Sequence, residues 1–551
     1  MDTGEQQEQR IRVVREYHRR SKHRPERYAA APGYMDWDNQ PNPFRIFEGA
    51  ELLELPHPDA RPVPTYDGLF LRRPVSAALD ADLLGRLFYH SLALSAWKRI
   101  PKSKPWSLRI NPASGALYPT EAYLISGRVS GLFEEPGVFH YSPWHHGLER
   151  RCHFTAEEWR QLSASLPETC LLLGLSTIYW RVSWKYGERA FRYSLLDVGH
   201  VLGALTFSAR LLGWETRFLE NINDHDLNRL LGIHLQEGPE AEHADCLLAL
   251  YPGDVEGPIF QDDGDPINVP EPVFFKGEPN RLSRRHHDWP VIEDVARAIH
   301  TDGLQSYPDH RRRELYPDNP GPVSERWHSA EQIIRRRRSS RAMDPTGFLE
   351  RTVFYQMLQR ILPGQFPFQL LSRPSRISLV FFVHRVSVLE SGLYLLLRNK
   401  SHERIIHPGL QTGFTWELAD ELPPGLQLYR LLTGDMRNLS KRICCAQDIA
   451  GDGAFSLAML SDFNTTLATD GAAAYPHLHW ECGLIGQVLY LEAEAAGMRG
   501  TGIGCYFDDL MHDTLGIRDD SLQSLYHFTV GTPVEDGRIQ TIPPYAHLKK
   551  S

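Results

Sequence analysis

At 551 residues the chain is too long for one ordinary hydrophobic core, and its length predicts two to four domains. Hydrophobic residues at 42% and charged residues at 23% give the balance of a folded soluble protein, and a net charge of −9 argues against a general nucleic-acid binder. No stretch reaches the roughly 18 uninterrupted apolar residues of a membrane span; the seven cysteines form no CxxC pair, so a cytoplasmic protein with reduced thiols and no metal ligands is expected.

Residues 1–60 are basic at the start and lack the apolar core of a secretory signal, so they read as an N-terminal extension. A first domain is expected over 61–255. Its segment "NPASGALYPTEAYLI" (111–125) runs from small residues and turn formers into an apolar strand. "RVSGLFEEPGVFHY", from Arg128, continues the pattern of strand, turn and strand. "WKYGERAFRY" (184–193) concentrates ionisable and aromatic side chains just before a long helix. Three-four spacing of Val198, Val201, Leu202, Leu205, Ala209 and Leu212 predicts that this helix is amphipathic and ends on a glycine cap.

Self-comparison is the most informative observation. Residues 197–233 lie without gaps on 481–517, an offset of 284 (481 − 197), with eight identities in 37 positions that include Gly199/Gly483 and Asp224/Asp508. A second block, "RVSVLESGLYLL" from Arg385, follows Arg128 by 257 (385 − 128). The chain is therefore read as two copies of one α+β unit. Between them, residues 256–325 are rich in proline, aspartate and glycine and read as a linker. The pairs His145-His146 and His286-His287 are expected to be exposed rather than ligating. The second domain is expected over 326–551.

The copies differ where chemistry can specialise. "NPASGALYP" meets "FQLLSRPSR" (368–376) at its offset, so the small-residue turn is missing from the second copy. That copy opens instead with "IIRRRRSSRAMD" (333–344), where the first has "FLRRPVSAALD", and carries "GTGIG" after its long helix. Arg337, Arg338, Ser339 and Arg341 suit a phosphate monoester. Gly502, Ile503 and Gly504 let backbone amides approach a flat polar-edged ring, and Arg538 adds a cation.

In combination these motifs resemble the nitroreductase superfamily of FMN proteins, in its SagB/ThcOx-type dehydrogenase branch. "RRSSRAMD" is similar to that family's phosphate-binding opening. "NPASGALYPTEAYLI" is similar to its flavin-lining loop, here Asn111, Ala113, Ser114 and Gly115. "WKYGERAFRYSLLDVGH" and "GTGIGCYFDD" are similar to segments of the branch. The resemblance implies an α+β fold with an antiparallel-rich sheet, and two tandem nitroreductase-like domains forming an intramolecular pseudo-dimer. One FMN per chain would lie between the halves, with NAD(P)H as a transient co-substrate. The partners expected are a small-molecule or modified-peptide substrate, with no nucleic acid and no membrane; further oligomerisation stays open.

In azoline-oxidising relatives a Lys-Tyr pair is implicated in catalysis, which places that role on Lys185 and Tyr186. A lysine whose pKa is lowered by burial, and by cations such as Arg189 and Arg192, can remove a proton. The alternative is a structural ion-pair network of Glu188, Arg189 and Arg192 with Lys185 exposed. Three functions follow: an FMN-dependent dehydrogenase, an NAD(P)H-dependent nitro or enone reductase, or a flavin-binding scaffold without turnover.

Overall fold

The computed structural model describes residues 4–71, 74–254, 267–270, 274–300 and 328–548. The arginines of "FLRRPVSAALD", Arg72 and Arg73, lie outside them, as does much of the expected linker. The first of two seven-stranded sheets contains β1 (Glu51–Glu54), β2 (Thr120–Ser126), β3 (Gly137–Ser142), β4 (Gly147–His153), β5 (Leu171–Thr177), β6 (Trp214–Leu219) and β7 (His243–Pro252). Their order is β1-β4-β3-β2-β5-β7-β6. The second contains β8 (Ile377–Val383), β9 (Gly392–Leu396), β10 (Glu417–Leu418), β11 (Leu428–Thr433), β12 (Phe455–Asp462), β13 (Arg499–Ile503) and β14 (Leu522–Gly531). Their order is β10-β11-β9-β8-β12-β14-β13, and every pairing in both sheets is antiparallel.

Six strands take corresponding places, and only the edge strands β1 and β10 enter from different points of the chain. β8 follows β2 by 257 residues (377 − 120), and β12 follows β5 by 284 (455 − 171). Register is kept as well: Tyr123 faces Gly174, and Val380 faces Ala458. The repeat in the sequence is thus a repeat of topology and register. The central strands are buried along their whole length, which is why they read as apolar runs and not as alternating ones.

The helices include α1 (Gly4–Arg20), α2 (Tyr179–Tyr186), α3 (Ala190–Leu211), α4 (Asp224–Leu231), α5 (Pro290–Ile299), α6 (Phe463–Asp470), α7 (Ala474–Ala495) and α8 (Asp508–Leu515), with others between them. The last three follow α2, α3 and α4 by 284 residues each. The expected amphipathic helix is corrected here, because every residue of α3 is buried. One face lies on its own sheet and the other on α7 of the opposite half. A Cβ on Gly199 would lie 2.4 Å from the Trp480 carbonyl oxygen and 2.8 Å from the Gly483 Cα. The Gly199/Gly483 identity marks this crossing. Gly213 (φ +76°) and Gly497 (φ +72°) end the two helices in the left-handed conformation.

Two boundaries differ from the sequence reading. β1 belongs to the first sheet although it precedes residue 61, because an edge strand of four residues carries too little pattern to be recognised. Within the expected linker, Glu278–Pro279 pairs with Phe47–Glu48 and α5 is an ordered helix. His146 is buried, not exposed, with its Nδ1 3.0 Å from the Tyr141 hydroxyl. His286 is half-buried against Glu240 at 2.7 Å.

The N-terminal segment straps both halves. The Tyr17 hydroxyl donates to the Glu188 carbonyl at 2.8 Å, His18 Nδ1 lies 3.1 Å from the Tyr475 hydroxyl, and the His23 amide donates to Asp508 at 3.0 Å.

Candidate active site

The small-residue loop follows a strand ending at Arg109. Gly115 (φ +63°), Ala116 (φ +57°) and Tyr118 (φ +49°) are left-handed, a path that glycine takes at least cost. The Ser114 amide donates to both Asp197 carboxylate oxygens at 3.0 Å, and its hydroxyl donates to one of them at 3.0 Å. Burial pushes the Asp197 carboxyl up to about 8 against these bonds. A Cβ on Gly115 would lie 2.8 Å from the Tyr186 hydroxyl and 3.4 Å from Lys185 Nζ. The fold therefore brings the loop and the Lys-Tyr pair together.

The second half reaches the same place. Arg337 is buried and donates to the Ile110 carbonyl at 3.1 Å and the Arg109 carbonyl at 3.3 Å, at the entrance of the loop. Asn111, buried next to them, has an Oδ1 with no protein partner. Arg338 donates to the carbonyls of Arg335 (2.9 Å), Arg337 (2.6 Å) and Ser95 (3.2 Å). Burial first, and then repulsion from Arg337 and from other arginines, pulls its pKa down to about 9. Lys98 is lowered likewise by burial and by Arg338. Excess positive charge thus collects at this corner.

The Tyr490 hydroxyl ties the opening to the glycine turn, lying 2.9 Å from Ser339 Oγ and accepting the Gly502 amide at 2.9 Å. A Cβ on Gly502 would overlap the Tyr526 hydroxyl, and one on Gly504 would lie 2.5 Å from the Tyr193 ring. Ile503 is buried against Met343 and Cys444. Ala113 precedes the loop's 3-10 turn in extended backbone. Arg341 is exposed, and Arg538 stands on the surface with its guanidinium on Asp536 at 2.9 and 2.8 Å. These two are the candidates that remain outside the packed seam.

Arg189 and Arg192 do not serve Lys185. Both donate to the buried Asp508 at 2.8 Å, across the two halves, and hold its carboxyl far below the usual range. Glu188 is bound by Arg20. The expected network of Glu188, Arg189 and Arg192 is thus split in two, both arginines serving Asp508 and Glu188 serving Arg20; Lys185 is half-buried, and burial alone lowers its pKa. A continuous line of contacts crosses the seam: Gly115 on Tyr186, Tyr186 edge-on to Tyr193 at 4.9 Å, Tyr193 under Gly504.

The related position on the other side carries different residues, which bind each other. The counterparts of Gly504 and Gly115 are Glu220 (504 − 284) and Ser372 (115 + 257). The Ser372 hydroxyl donates directly to Glu220, and Arg373 lies 3.7 Å from the same carboxylate.

Asp197, Tyr193, Tyr490 and Tyr526 were not singled out from the sequence. One signal was present for Asp197, which aligns with an acid, Glu481. That residue also accepts an amide from its own half's loop, that of Arg376 at 3.0 Å, but is neutralised by Arg398. Among the described residues no group of three or more His, Cys, Asp or Glu side chains could hold a metal ion, and no helix is long and apolar enough to cross a membrane.

Residues 334–532 match the model of the nitroreductase family. A Methanocaldococcus jannaschii protein named as a nitroreductase is 26% identical over 189 residues, covering 33% of this chain and 91% of its own length. A crystal structure of a protein from Anabaena variabilis, also named as a nitroreductase, superposes with a TM-score of 0.68 at 22% identity. It covers 95% of this chain and 99% of that one, so the fold runs through both halves.

Proposed function

We propose that this chain, a nitroreductase-superfamily protein by those matches, is an FMN-dependent oxidoreductase with one composite site at the seam of an intramolecular pseudo-dimer. The observation that carries this reading is the docking of Arg337 on the carbonyls of Arg109 and Ile110, which joins the arginine-serine opening of one half to the loop of the other. The residues fit the cofactor. Arg338, Ser339 and Arg341 would hold the phosphate, and the unpartnered Asn111 Oδ1 suits a ring N–H donor. Gly115, Gly502 and Gly504 would line the ring. FMN, when bound, supplies hydride chemistry at N5.

Lys185 beside Tyr186 supports the SagB/ThcOx-type reading, in which a lysine takes a proton from a small-molecule or peptide-heterocycle substrate that is being oxidised. The names of the relatives favour a second reading, an NAD(P)H-dependent nitro or enone reductase. Rapid bleaching of the flavin by NAD(P)H would select the second, and bleaching only by an oxidisable substrate the first. The composite site itself is tested by flavin content. Purified protein should carry one FMN per chain, and Arg337→Ala with Arg341→Ala should be colourless, since the first undocks the opening from the loop and the second removes a charged phosphate contact that contributes roughly 1.5–3 kcal/mol. Two flavins per chain, or a yellow double variant, would refute it.

A further inference from the structure

Cys505 directly follows the glycine turn, and Cys445 arrives from a different segment of the second half. Their Sγ atoms lie 2.7 Å apart. Both are half-buried, whereas Cys152, Cys170, Cys246, Cys444 and Cys482 are buried. Several features hold the pair in place. Cys445 (φ +55°) and Ala446 (φ +58°) are both left-handed, so the chain turns sharply to present the first thiol. Gln447 Nε2 donates to the carbonyls of Cys444 at 2.8 Å and Cys505 at 3.0 Å, stitching the two segments together. The His23 ring, with Nδ1 accepting the Ala29 amide at 3.0 Å, faces Cys505, and Arg189 lies close by.

The two thiols are chemically unequal. The hydrogen bond shared with Cys445, followed by His23 and Arg189, draws the Cys505 pKa down to about 5 against its burial. The same bond, with burial, pushes Cys445 up. Two half-buried thiols in contact, one of them favoured as the thiolate by the hydrogen bond from the other, is the arrangement thiol–disulfide exchange requires.

We propose that Cys445 and Cys505 form a redox-active dithiol that exchanges with low-molecular-weight disulfides. The Cys505 thiolate attacks one sulfur of the small disulfide, forming a mixed disulfide and releasing one thiolate. Cys445 loses its proton and attacks Cys505 Sγ, closing the protein disulfide and releasing the second thiolate. The protein loses two electrons and two protons, and the small disulfide is reduced to two thiols. The site does not depend on the flavin reading.

The test uses the full-length protein as purified, oxidised glutathione as the probe, and alkylation with peptide mapping as the readout. Wild type should lose two hydrogens in mass and yield a cross-linked Cys445–Cys505 peptide, with the five buried thiols still free after denaturation. Cys445→Ser should stop at a stable glutathione adduct on Cys505. Cys505→Ser should react at Cys445 at least about tenfold more slowly. Wild type that keeps both thiols free, or a first adduct on Cys445, would overturn the proposal, and the wild-type experiment decides even if a variant fails to fold.

Discussion

Lys185 sits half-buried in the last turn of α2, with its Nζ 5.2 Å from the centroid of the Tyr186 ring, and burial favours its neutral form. The sign follows directly. A lysine whose folded pKa is lowered becomes an available base at lower pH than a free one, so the rate should rise with pH through that pKa and then level. Lys185→Ala should keep its flavin near wild type, lose that rising limb and cost about 10²-fold or more in rate. Loss of flavin together with rate would show that the residue is structural. Lys185 was legible as a candidate because the second copy has Thr469 in its place. Asp197 was less so, because nothing in its local sequence reveals that it lies under Ser114.

At the scale of elements, α3 and α7 are the spine of the seam, and their closest approach is glycine on glycine. A Cβ on Gly483 would lie 2.2 Å from the Leu196 carbonyl oxygen. Backbone on both sides leaves no flexible atom to yield. Gly199→Ala and Gly483→Ala should therefore each destabilise by about 1–3 kcal/mol, as overpacking does. The double variant should fall short of the sum, because both residues strain the same crossing. Denaturant midpoints would measure this, and two neutral substitutions would mean that the helices can separate. The three-four pattern correctly predicted these helices but not their full burial, since periodicity reports one apolar face and carries no information about a second helix.

The whole molecule is held by groups that belong to neither half alone. Asp508 of one half is gripped by Arg189 and Arg192 of the other, Tyr66 and Arg360 meet on Glu492, and the N-terminal strap bonds both. Removing one partner of such a buried network leaves an uncompensated charge. The halves should consequently unfold as one unit, with a single calorimetric transition whose van't Hoff and calorimetric enthalpies agree. Two resolved transitions would show independent domains.

The repeat, its two offsets and the strand-turn-strand order followed from the sequence by itself, because spacing and apolar pattern are local and survive divergence between copies. The loss of "NPASGALYP" from one copy and of the arginine-serine opening from the other was visible in the same way. Only the tertiary structure decided that Arg337 docks on the loop of the opposite half, that Arg189 and Arg192 serve Asp508 and not Lys185, and that Cys445 meets Cys505. It also showed that Ser372 and Glu220 bond to each other at the related position. Each of these contacts joins residues at least 60 positions apart, and no local pattern records which distant side chain a crossing helix or a returning strand will bring within reach.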